Sequence, residues 1–180
     1  MIRIFATIFL CTICTMLVVS TSPPTVAQSS SNIDQSDLPP LIRVPPQHTV
    51  EFSFKAQGFQ IYKCVLEQDS GKLVWSFVAP EAELFDQAGK QVGRHFAGPA
   101  WKLDDGSEVL GKLKVKTDAP DGSGVPWLLL EAQQRSGRFG AINLVQRVHT
   151  NGGAPPPIVG DEKIGSEIRV PYKAEYRFLR

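Results

Sequence analysis

From Val50 onward the chain alternates between apolar and polar residues. Val50, Phe52, Phe54 and Ala56 fall on one face and Glu51, Ser53 and Lys55 on the other, the period-two pattern of a strand with one wet side. Gly58 then predicts a hairpin or tight bend, and Phe59 to Leu66 a second strand with Tyr62, Cys64 and Leu66 on one face. Asp69-Ser70-Gly71-Lys72 has the composition of a turn. Leu73 to Ala79 reads as a third, largely buried strand that Pro80 stops. Glu81 to Phe85 fits one helical turn or a short edge strand equally well. Gln91 to Ala97 leads into a kink at Gly98-Pro99, a short strand and an Asp-Gly turn. Val109, Gly111, Leu113 and Val115 next alternate with Lys112, Lys114 and Lys116, a solvated face that discourages edge pairing. Trp127 to Ala132 predicts a short central strand, and Phe139 to Thr150 a long one. In that long strand Asn143, Val145, Arg147 and His149 share a face opposite Ile142, Leu144 and Val148. The last alternation is the cleanest. Ile168, Val170, Tyr172, Ala174, Tyr176 and Phe178 point one way, and Pro171 puts that strand at an edge or a bulge.

Nine or ten short strands with turn signals between them and no helical stretch of any length predict an all-β domain, an antiparallel β-sandwich or a closed β-barrel. No repeat of fixed period is visible, which excludes a propeller or β-helix. The expected organisation is a signal peptide over 1–27, a Pro/Ser-rich linker over 28–46, and a single domain over 47–180. The signal is carried by Arg3, the apolar run Ile4 to Val19, the break at Pro23-Pro24 and small residues ending in Ala27, after which cleavage is expected. That run falls short of the ~20 residues a membrane-spanning helix needs, so no stable span is expected after cleavage. The expected location is outside the cell or in a periplasm.

Charge adds an exclusion. The chain has 19 basic and 18 acidic residues, and loss of Arg3 with the signal leaves the mature part neutral. Neutrality argues against nucleic acid or an anionic membrane surface as a partner, both of which need a positive excess. Removing the signal also removes Cys11 and Cys14, so Cys64 stands alone in the mature chain. A disulfide within the chain is then impossible. The favoured reading is a buried thiol in a monomer, the alternative a bridge to another chain.

The run Gly93-Arg94-His95-Phe96-Ala97-Gly98-Pro99-Ala100-Trp101 followed by Asp105-Gly106-Ser107 is the most unusual in the chain. Further motifs follow the same order as in a known family. They are Gly58-Phe59-Gln60-Ile61-Tyr62-Lys63-Cys64, Pro126-Trp127-Leu128-Leu129-Leu130, Gln146-Arg147-Val148 with Thr150-Asn151-Gly152-Gly153, and Val170-Pro171-Tyr172-Lys173-Ala174-Glu175-Tyr176. Over roughly residues 45–180 the chain thus resembles a secreted family of unknown function, number three-four-five-five in the DUF series. The resemblance implies one secreted domain with no established activity. A dehydrogenase label carried by some relatives has no support in these residues. The family pattern also implies a second cysteine after the Gly-Gly-Ala-Pro stretch, and Gly152 to Ser166 contains none.

No phosphate-cradling glycine loop, Gly-x-Ser-x-Gly, His-Glu-x-x-His or His-x-His is present, and no metal or cofactor is expected. The best candidate constellation for ligand binding is His95, Trp101, Asp104, Asp105, Arg147 and His149. Arg147 and His149, two apart on a strand, share a face, and the kink at Gly98-Pro99 can bring His95 and Trp101 to meet it. Trp101 would supply an apolar platform, Arg147 a grip for carboxylate, and the histidines proton exchange near neutral pH. Three functions follow. The first is a non-catalytic binding module for a small molecule, a glycan or an envelope component. The second is a hydrolase- or isomerase-like enzyme using His95 and His149 with Asp104 or Asp105. The third is a structural or interaction protein.

Overall fold

The computed structural model describes residues 35–160 and 162–180. The expected signal over 1–27, its cleavage after Ala27 and the first part of the linker lie outside the described residues. Eight strands form one antiparallel sheet: β1 (Val50–Leu66), β2 (Leu73–Phe85), β3 (Gln91–Phe96), β4 (Ala100–Leu103), β5 (Glu108–Thr117), β6 (Trp127–Gln133), β7 (Leu144–Gly152) and β8 (Glu167–Leu179). Each pairs with the next, and β8 returns to β1, so the sheet closes as an up-and-down barrel. Of the two all-β architectures expected, the chain adopts the barrel. Closure leaves a period-two strand with one face in the interior and the other outside.

The interior holds the apolar side chains of that alternation, among them Phe54, Leu84, Trp101, Leu103, Leu130, Val145, Tyr176 and Phe178. Phe139 and Ile142, from the loop before β7, are fully buried in the same core. Phe139 joins Phe52, Phe54 and Phe178 in an aromatic cluster with ring centroids 4.9–5.6 Å apart. Such pairs add about 0.5–1.5 kcal/mol each to the area they bury. Cys64 is fully buried as a free thiol.

Three local expectations are corrected. Gly58 makes no hairpin, because β1 runs unbroken through it. A Cβ there would run into the Glu81 carbonyl oxygen and the Cα of Ala82, so the glycine permits a close approach of β2 rather than a reversal. Pro80 does not stop β2, and Glu81 to Phe85 is strand. Pairing between β2 and β3 begins only at Ala82, so Pro80 stands where β2 has one neighbour and a missing N–H costs least. Pro171 sits likewise, just past the last pair of β7 with β8, Gly152 with Tyr172. The third correction concerns β7. Its register with β8 shifts between Val148 and Asn151, where His149 takes φ 49°. That bulge breaks the two-residue rhythm, so Arg147 is buried while His149 is exposed.

The described part of the segment expected as a linker, residues 35–46, packs on the barrel. Leu38, Ile42 and Val44 are buried against Val50, Trp127, Leu129, Leu144, Val148 and Leu179 on the outer side of the sheet. Gln146 donates to the Ile42 carbonyl (2.7 Å), and Arg43 to that of Leu38 (2.8 Å). Proline fixes an extended path, and three apolar side chains placed along it find an apolar patch. Each fully buried one contributes about 1.5–3 kcal/mol.

β1, β2 and β8 continue past the ends of β3 and β7 as a three-stranded extension. Pairing of β1 with both neighbours reaches Lys63, whereas β3 stops at Phe96 and β7 at Gly152.

Candidate functional site

The six residues singled out in the sequence fall in three places. His95, Trp101 and Arg147 meet inside the barrel. His95 and Trp101 are directly paired across β3 and β4, and their rings stack at 4.6 Å with 10° between planes. The β3–β4 turn that pairs them contains a cis Gly98–Pro99 peptide, with Gly98 at φ 138°. Tyr176, the β8 neighbour of Arg147, packs against the His95 ring at 4.8 Å. Arg147 directs Nε and Nη2 to the Pro126 carbonyl, at 3.1 and 2.7 Å. Gln60, Tyr62 and Tyr172 complete this buried group, with the Tyr62 hydroxyl donating to Gly153 O and the Tyr172 and Tyr176 hydroxyls 3.5 Å apart. Burial lowers the His95 pKa to about 3, helped by Arg147 and opposed by the bond to Ala100. His95 is therefore neutral, and its Nδ1–H donates to the Ala100 carbonyl (2.9 Å). Burial likewise raises Tyr62, Tyr172 and Tyr176. Trp101, at 1% exposure, is a core residue and not a platform open to solvent.

His149 goes elsewhere. It lies outside the barrel, with Nδ1 2.9 Å from Glu175 and Nε2 3.5 Å from Asp37 of the N-terminal segment, edge-on to Trp127. Burial pushes Glu175 up, but Arg177 and His149 outweigh it and hold the carboxyl below its usual range. Asp104 and Asp105 occupy the exposed turn after β4, where Asp105 accepts from the Ser107 amide (2.9 Å). The acid–base grouping of His95 and His149 with Asp104 or Asp105 is thus divided between the interior, the outer face and a turn. The bulge in β7 is what takes His149 out of the interior.

A concave feature lies on the outer side of the described residues, where the three-stranded extension leaves the barrel wall. It is an open cleft of about 1150 Å³ spanning β7, β8, β1, β2, β3 and β4. Direct cross-strand pairs run through it in one row: Asn151–Lys173, Lys173–Gln57, Gln57–Glu83, Glu83–Arg94 and Arg94–Lys102. All six are exposed. A second row brings Pro171, Phe59 and Glu81 together, with Phe96 beside them. Arg169 lies over the Phe59 ring at 4.7 Å and bonds Glu81 at 2.9 Å, holding that carboxylate below its usual pKa. Lys102 reaches Glu108 at 3.5 Å. Within the described residues the side chains of Gln57, Glu83, Arg94, Asp104, Asn151 and Lys173 make no hydrogen bond or ion pair. Asp104 is the one residue of the sequence constellation that joins this cleft by an exposed side chain. No group of His, Cys, Asp and Glu among the described residues is arranged to hold a metal ion.

Sequence reasoning passed over the cleft because its residues look like the ordinary wet side of strands. The signal that could have found it is their partners on the inner side. Ala56, Gly58, Ala82 and Gly93 are small, and a Cβ on Gly58 or Gly93 would strike the backbone of the next strand.

No curated protein and no solved structure gives a significant match to this chain. A family profile does, over residues 45–180, the span in which the ordered motifs lie and the barrel closes. The chain belongs to the family described as Protein of unknown function (DUF3455).

Proposed function

We propose that the protein is a secreted, non-catalytic binding module that takes a neutral, polyhydroxylated ligand, a glycan, in the outer cleft. The observation that carries this reading is the unspent row of polar side chains on paired strands. Gln57, Glu83, Arg94 and Lys173 present donors and acceptors at fixed spacing, with nothing among the described residues to satisfy them. Paired strands hold such groups in place, so little ordering is lost when a ligand arrives. The cleft carries three acidic side chains, Glu81, Glu83 and Asp104, against three basic ones, Arg94, Lys102 and Lys173. That balance suits hydroxyl groups better than a charged partner. Phe59 and Phe96 offer apolar surface for the C–H face of a sugar ring. The signal-like N-terminus and the neutral mature charge agree with a role outside the cell.

Calorimetric titration of the mature chain with neutral glucan, mannan and chitin oligosaccharides tests the reading. Saturable binding to at least one of them, weakened about tenfold or more in Phe59→Ala and Arg94→Ala, is expected. Absence of binding across the three series would contradict it.

A further inference from the structure

We propose that the barrel interior contains a second site, for a small carboxylate anion held on Arg147. It is separate from the outer cleft and does not depend on the glycan reading. Arg147 is 9% exposed. No Asp or Glu is among the buried residues described, and the other buried arginine, Arg177, already holds Glu175 at 2.8 Å. Arg147 has no carboxylate partner among the described residues; its contacts are the Pro126 carbonyl and the neutral hydroxyl of Tyr176. A guanidinium withdrawn from water without a counter-charge is costly, and an anion in fork contact removes that cost.

Its surroundings supply donors and lack acceptors of charge. Gln60 Nε2 and Trp101 Nε1 are buried with no hydrogen-bond partner. Gln60 lies against Tyr172, whose hydroxyl neighbours that of Tyr176, which in turn touches Arg147. His95 has given its one proton to the Ala100 carbonyl, and its remaining nitrogen is a neutral acceptor that cancels no charge. The field of Arg147 reaches Tyr62, His95, Tyr172 and Tyr176 together. An eight-stranded barrel has room for side chains and one small ligand at most, which limits the occupant to something of formate or acetate size, or to the carboxylate end of a longer acid.

Nuclear magnetic resonance on the whole mature chain tests this, with sodium acetate as the probe. Sodium fluoride, whose tightly hydrated anion enters a partly buried site least, keeps the ionic strength constant. The Arg147 Nε–H and Gln60 side-chain signals are expected to move along one saturating curve in the millimolar range. Arg147→Gln should abolish the saturation. As a check that needs no variant, acetate should raise the thermal midpoint of the native chain above that in fluoride. Linear drift of those signals, saturation confined to surface amides, an unchanged curve in Arg147→Gln, or equal midpoints in the two salts would each overturn the proposal.

Discussion

The outside of this barrel has two halves made by the same period-two strands and put to opposite uses. Over β6 and β7 the outward residues Trp127, Leu129, Leu144 and Val148 are apolar, and Leu38, Ile42 and Val44 cover them. Over β8 to β4 the outward residues are Lys173, Gln57, Glu83, Arg94 and Lys102, and nothing in the described chain covers them. In the first half Gln146 is spent on structure, donating to the Ile42 carbonyl. In the second, polar groups stand unpaired in a concave surface. Covered apolar area stabilises the fold; bare polar area at fixed spacing contributes little to stability and is free to recognise something else.

Substitutions should separate the halves. The largest effect is expected on the covered side. Ile42, fully buried, should lose about 2–5 kcal/mol of stability as Ile42→Ala in urea unfolding, with glycan affinity unchanged. A second effect, graded by pH, comes from His95 beneath the bare wall. Its folded pKa of about 3 lies below the unfolded 6.5, so between those values the unfolded chain binds the extra proton. Stability is full above pH 6.5 and falls on acidification toward pH 3, by about 1.4 kcal/mol for each pH unit well inside that window. His95→Gln should flatten that slope in unfolding midpoints measured across the pH range; an unaltered slope would remove His95 from the account. The smallest effect belongs to the cleft. Glu83→Ala should change stability by no more than about 0.5 kcal/mol, because its side chain touches no partner, while weakening ligand binding.

Much of the barrel was legible in the sequence, because alternation reports burial directly. The last strand is the clearest case: Tyr172, Ala174, Tyr176 and Phe178 all lie in the core, as their spacing requires. The meeting of His95, Trp101 and Arg147 was also readable, from the turn between the first two and the inward parity of the third. What parity cannot carry is a change of phase. The bulge at Val148–Asn151 sends His149 outward, and no residue type in Val148-His149-Thr150 announces it. Gly58 and Pro80 misled for a related reason. Both are turn residues by habit, but here one admits a neighbouring backbone and the other sits where its strand has a single neighbour. The N-terminal segment read as a linker because of its serines and its two Pro-Pro pairs, although three well-placed apolar side chains were enough to dock it.

The central claim is that the bare half recognises a ligand. Backbone amide mapping of the mature chain with the tightest-binding neutral oligosaccharide tests it most directly. Shifts centred on residues 57–59, 81–83, 94–96 and 171–173 are the predicted result. Shifts centred on the N-terminal segment and the outer faces of β6 and β7, with those four stretches silent, would contradict it.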